Sequence, residues 1–99
     1  MIAKVHKNTN GQIILAICDK EILGKKFIQG DLQLDLTSDF YRGEEKTEEE
    51  ILKIIKNAYI LNIVGESSIK FALEHKLIDK ERIIFVSGVP HAQLVIVRE

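Results

Sequence analysis

Ile60-Leu61-Asn62-Ile63-Val64-Gly65-Glu66-Ser67-Ser68 decides the fold. A short, mostly apolar and β-branched run stops at a glycine, and a polar triplet then opens a segment with Ile69, Ala72, Leu73 and Leu77 at helical spacing. That helix is expected to reach about Lys76, followed by the polar turn Asp79-Lys80-Glu81 and the strand Ile83-Ile84-Phe85-Val86. Strand, helix and strand at this spacing make a βαβ unit, whose two strands run parallel in one sheet. A turn at Gly88-Val89-Pro90 then leads to a final strand, roughly Gln93 to Val97.

On the N-terminal side of this unit, Thr47-Glu48-Glu49-Glu50 reads as a capping box. The helix it opens carries Ile51, Leu52, Ile54, Ile55, Ala58 and Tyr59 on one face, with acids in its first turn and Lys53 and Lys56 further along, as the helix dipole favours. Leu32, Leu34 and Leu36 alternate with Gln33 and Asp35 as a strand with one wet face, and Ser38 to Gly43 is a turn or short helix. Asp19 to Gly24 reads as one helical turn capped by Asp19 and stopped by Gly24, and Gly30 breaks the segment after it. At the N-terminus, Ile2, Lys4 and His6 alternate with Ala3, Val5 and Lys7, and the apolar run Ile13 to Cys18 follows Asn8-Thr9-Asn10-Gly11. The pair reads as a β-hairpin. The expected fold class is α/β, with α+β as the alternative. It is a single two-layer sandwich over residues 1–99, an N-terminal β-hairpin followed by a βαβ unit and a final strand.

Composition narrows the classes of function. The hydrophobic share of 45% and the charged share of 29% belong to a globular domain. Cys18 is the sole cysteine, so no intrachain disulfide forms, which points to a reducing, cytoplasmic setting. No apolar run approaches the roughly 20 residues that span a bilayer, so no membrane partner is expected. The net charge of −1 hides a segregation: residues 1–30 carry +3, residues 31–50 carry −6 and residues 51–99 carry +2. A chain this close to neutral lacks the basic footprint of a free-standing nucleic-acid binder.

Several residues bear chemistry, each beside a plainer structural role. Cys18 ends an apolar strand, the setting of a small buried hydrophobe more than of a nucleophile. His91, just after Pro90, is a candidate general base or ligand contact, or a side chain that fastens its own loop. His6 and His75 show no ligand spacing with it, so neither a metal nor a cofactor is expected. Gly65-Glu66-Ser67-Ser68 joins a strand to a helix start, whose free amides suit an anion unless Glu66 caps them. Lys20, Lys25 and Lys26 form a small basic patch beside Phe27.

Four blocks in order carry a resemblance: Cys18-Asp19-Lys20-Glu21-Ile22-Leu23-Gly24-Lys25, Phe40-Tyr41-Arg42-Gly43-Glu44, Asn62-Ile63-Val64-Gly65-Glu66 and Gly88-Val89-Pro90-His91-Ala92-Gln93. Together they resemble an archaeal family of unknown function, domain of unknown function 424. The resemblance implies an archaeal, cytosolic, single-domain protein in the company of the translation machinery, and brings no activity or catalytic residues with it. Each block ends a strand or starts a helix, so Asp19, Lys25, Tyr41, Glu44, Asn62, Gly65, Glu66, His91 and Gln93 are expected to converge as ligand or partner contacts. In particular, the turn after the βαβ unit should aim His91 and Gln93 at the Gly65-Glu66 helix start.

Two functions from different classes fit. One is a non-enzymatic binding module that contacts RNA, the ribosome or a translation factor through Lys25, Lys26, Arg42, His91 and Gln93. The other is a small hydrolase or phosphate-acting enzyme in which His91 works with Glu66 or Asp19. A homodimer pairing the edges of the N-terminal hairpin or the last strand is a third, plainer reading.

Overall fold

The computed structural model describes residues 1–96. Its strands are β1 (Ile2–Lys7), β2 (Ile13–Cys18), β3 (Lys26–Gln29), β4 (Leu32–Asp35), β5 (Glu44–Glu45), β6 (Ala58–Val64), β7 (Ile84–Val86) and β8 (Val89–Val95), with helices α1 (Glu48–Ile55) and α2 (Glu66–Glu74). Six strands form one sheet in the order β5-β1-β2-β6-β8-β7, and β3 and β4 form a separate hairpin.

The N-terminal hairpin pairs Ile2 with Cys18 through to Lys7 with Ile13. Its loop is longer than the expected Asn-Gly turn, because Asn8 organises it. The Asn8 carboxamide oxygen accepts from the main-chain N–H groups of Asn10 and Gln12, and only Gly11 takes a positive φ. From β2 the chain passes through β3, β4 and α1 before returning as β6, parallel to β2 and beside it. The helices cover both strands on one face, and the β3-β4 hairpin and the Asp39–Tyr41 turn cover their C-terminal ends on the other, which is why their sequences are almost unbroken apolar runs. The capping box of α1 is present in full: Thr47 Oγ1 accepts from Glu50 N, and the Glu50 carboxylate accepts from Thr47 N.

The βαβ unit β6-α2-β7 is also present, with one refinement. β8 pairs antiparallel to both β6 and β7 and so lies between its two parallel strands. The turn that allows this is Ser87-Gly88, two residues with φ of 49° and 82°, the primed geometry of a tight hairpin. The expected turn at Gly88-Val89-Pro90 is therefore displaced, and the final strand starts at Val89 rather than Gln93. Its expected end, Val97, lies outside the described residues.

Pro90 misleads because a proline inside a run usually argues against a central strand. Here its carbonyl accepts from Gly65 N, and the Gly65 carbonyl already accepts from Ile69 N in α2. The missing proline N–H thus falls where β6 has become helix and would find no ladder partner.

Two clusters make the core. Leu15, Ile17, Leu61, Ile63 and Ala92 pack under Ile51, Ile55, Ile69 and Ala72 of the two helices. On the other face, Ala16, Cys18, Val64 and Val86 pack under Leu34, Leu36 and Tyr41. The hairpin β3-β4 and the short 3-10 turn Asp39–Tyr41 therefore add a partial third layer to the expected two. Gln29 and Ile28 tie this hairpin down by accepting from Ser87 N and Ser87 Oγ at 2.7 and 2.6 Å.

Candidate functional site

Because β2 and β6 are parallel, Cys18-Asp19 and Val64-Gly65 emerge side by side at one edge of the sheet. Asp19 uses this proximity structurally. Its Oδ2 accepts from Ser67 N at 3.0 Å, and its Oδ1 accepts from Ser68 N at 2.8 Å and from Ser68 Oγ at 2.7 Å. The carboxylate thus caps α2 across the fold. It makes no side-chain cap on the 3-10 turn Lys20–Ile22 that follows it, where the sequence suggested it would act. Gly65 takes φ 109° beneath that carboxylate, and a Cβ there would stand 2.4 Å from Asp19 Cγ. Two of the helix-start amides expected for an anion, those of Ser67 and Ser68, are already engaged by Asp19, which takes the capping role expected of Glu66. What remains open is a shallow crevice of about 360 Å³ lined by Asp19, Glu21, Gly65, Glu66 and Pro90.

A second group gathers on the sheet face opposite the helices. Cα partners across a sheet share a face, so one row reads Lys4, Ala16, Asn62, Gln93. The row toward the hairpin is Ile2, Cys18, Val64, His91, Ile84, and the row away from it is His6, Ile14, Ile60, Val95. Tyr41 lies over the first part of this face in the cluster with Ala16 and Cys18. His6 stacks on Phe40, with ring centroids 4.6 Å apart, and its Nε2 sits 2.9 Å from the Phe40 carbonyl oxygen.

Asn62 stands at the centre. Only 8% of it is exposed, yet its carboxamide makes no hydrogen bond to any described residue and its polar atoms are not sealed from solvent. Gln93 beside it and His91 one row away are likewise without a side-chain hydrogen bond to a described residue.

Burial governs Cys18, Tyr41 and His91 on this face. Burial pushes the Cys18 thiol up to about 11, with the neighbouring Asp19 charge adding to it, so the sulfur stays protonated at neutral pH. Burial first, and the Cys18 charge second, raise the Tyr41 hydroxyl above its ordinary value. Burial lowers the His91 imidazole below its ordinary value, which keeps it neutral.

The expected convergence thus divides in two. Asp19, Gly65 and Glu66 meet at the crevice, while Tyr41, Asn62, His91 and Gln93 share the open face. His91 stands in line with Val64 and Ile84, and no hydrogen bond joins it to Asp19 or Glu66. The turn does not aim it at the helix start, because Val89 to Gln93 are strand. Lys25 serves through its main chain, its carbonyl accepting from Leu36 N at the base of the hairpin, and Lys26 is exposed on β3. Glu44 pairs with Lys46 at 3.5 Å, and Arg42 with Asp39 at 3.7 Å. Lys4 and His6 join the open face without having been singled out, although the alternation of residues 2–7 already put them together.

Among the described residues, no group of three or more His, Cys, Asp or Glu side chains could hold a metal ion, and no helix is long and apolar enough to cross a membrane.

The molecule is therefore a mixed α/β sandwich whose open sheet face presents carboxamides and whose helix-start carboxylate serves the fold. The chain belongs to the family described as protein of unknown function (DUF424), whose model matches residues 6–97. It is similar to the crystal structure of an uncharacterized conserved protein from Methanopyrus kandleri, with a TM-score of 0.78 and 25% sequence identity over 99% of this chain and 93% of that chain. No curated protein matches.

Proposed function

We propose that this chain is a non-enzymatic binding module of the archaeal cytosol, an accessory of the ribosome or of translation factors. The observation that carries the binding role is Asn62. An asparagine only 8% exposed in the middle of a β-strand, whose carboxamide reaches solvent but makes no hydrogen bond to a described residue, is a poor choice for the fold alone. Beside Gln93, His91 and Lys4 it makes a surface whose polar side chains are unengaged by any described residue and whose floor is apolar, the combination a partner site uses. The archaeal part of the reading draws on the family and on the source of the similar structure, and the translational part on the sequence resemblance alone. A small enzyme using His91 with Glu66 or Asp19 draws no support from the geometry, since the imidazole and the carboxylates are not joined.

Co-sedimentation with archaeal ribosomal particles across a salt series tests the reading. Association at low salt that is weakened by Asn62→Ala and Gln93→Ala is the expected result. No association at low salt overturns it.

A further inference from the structure

β8 has seven residues and β7 three, and their register ends at the pair Ile84 and His91. Along an antiparallel strand, alternate residues turn their main-chain groups to opposite neighbours. Pro90 bonds toward β6 through Gly65, and Ile96 does so through Tyr59. His91, Gln93 and Val95 therefore face the β7 side. Ile84 meets His91, but Gln93 and Val95 find no main-chain partner there among the described residues. Both residues are exposed, Val95 by 52%. The last strand is thus interior over its first half and an open edge over its second, whereas β1 is partly covered by β5.

A cavity of about 370 Å³ runs beside this open edge on the helix face. Leu77, Ile78, Leu94 and Ile96 give it an apolar lining, and Lys76 and Arg82 outnumber Asp79 at its walls. On the other face of the same edge lies Gln93, paired with Asn62. An unpaired strand edge beside an apolar slot is the arrangement that accepts an added strand: main-chain bonds supply affinity and alternate side-chain pockets supply selectivity.

We propose that the open edge of β8 receives an extended polypeptide segment of a partner protein, continuing the line of β7. Its main chain bonds to Gln93 and Val95, an apolar side chain enters the cavity beside Leu77 and Ile78, and a carboxylate faces Lys76 and Arg82. Side chains on its other face lie over Gln93 toward Asn62. The proposal rests on the binding-module reading and names the kind of partner. A polypeptide fits this edge better than RNA, because the exposed residues of its open half, Gln93 and Val95, carry no ring on which a base would stack.

The test is a random dodecapeptide display library panned against the intact chain, with enriched peptides synthesised and their affinity measured by fluorescence anisotropy. The expected binders alternate apolar residues with Asp or Glu. Their affinity falls roughly tenfold or more with Val95→Pro, which removes an N–H directed at the open edge, and with Arg82→Glu. N-methylation of alternate peptide amides, which leaves the protein untouched, has the same effect. No enriched peptide, or binding indifferent to Val95→Pro and to N-methylation, overturns the proposal. So does self-association that Val95→Pro abolishes, which would seat a second copy on the edge, or an RNA oligonucleotide that shifts the Gln93 and Val95 amide resonances. Ribosomal co-sedimentation that survives both substitutions overturns the edge alone. Its absence from the unaltered chain overturns the binding-module reading as well.

Discussion

Replacing Asp19 with alanine removes every bond that ties the end of β2 to the start of α2. Three donors lose their acceptor: Ser67 N, Ser68 N and Ser68 Oγ. Ser68 is fully buried, so two of them have no water to turn to. Loss of a helix N-cap costs about 1 kcal/mol, and a buried donor left without its charged partner costs roughly 1.5–3 kcal/mol. Allowing for overlap between these terms, Asp19→Ala should destabilise the fold by roughly 3–5 kcal/mol, a large part of the ~5–15 kcal/mol typical of a domain.

Guanidinium unfolding followed by circular dichroism reads this as a lowered midpoint at unchanged slope. Asp19→Asn, which keeps an acceptor but exchanges the other oxygen for a donor, should fall between alanine and the native residue. Ser68→Ala combined with Asp19→Ala in a double-mutant cycle should show a coupling of about 1 kcal/mol or more. Glu66→Ala at the exposed first position of the same helix should change stability by less than about 0.5 kcal/mol. A loss under about 1 kcal/mol for Asp19→Ala would refute the cap and return the carboxylate to the list of free functional groups.

Three further outcomes follow from the same geometry. Gly65→Ala meets the Asp19 carboxylate at 2.4 Å from a positive-φ position, and should destabilise by at least about 2 kcal/mol in the same assay. Cys18, buried and with its thiol pushed up to about 11, should resist a thiol reagent at pH 8 in the folded protein and react only on unfolding; rapid labelling of the native chain would contradict its burial. His91 titrates below its ordinary value in the folded state, so the unfolded chain takes up its proton first as pH falls. Stability should be unaffected by this residue above about pH 6.5 and should decline as pH drops from there toward the lowered folded value. His91→Gln should flatten that decline in unfolding measured across pH, and an NMR titration placing the imidazole at or above its ordinary value would contradict the sign.

Local chemistry made much of the fold legible. Thr47 and Glu50 announce their capping box in adjacent letters, and the alternation of Ile2 to Lys7 fixes a strand without reference to anything distant. The spacing from Ile60 through Val86 likewise gives two parallel strands and their helix. What it cannot give is β8 between them, because strand order depends on pairing free energy across the sheet, and Pro90 argues locally against a strand. The hairpin β3-β4 escaped for a similar reason. Lys26-Phe27-Ile28-Gln29 has one half-buried residue among exposed ones, and its partner is recognised only when the strands meet.

The candidate site was legible as a set of residues and not as an arrangement. Asp19 and Ser68 are 49 positions apart, and no spacing rule links them; only the parallel register of β2 and β6 makes a cap of the pair. Asn62, Gln93 and His91 stand as polar letters in apolar surroundings. Their meeting on the face opposite the helices follows from which strand neighbours which.

The central claim is that Asn62 is kept for a partner and not for the fold, and Asn62→Val tests it most directly. Valine suits a central strand, and no hydrogen bond to a described residue is lost with the carboxamide, so the free energy of unfolding should hold or rise by up to about 1 kcal/mol while association with ribosomal particles is lost. A valine variant that unfolds more easily than the native chain, or one that is more stable and still binds, would contradict the account.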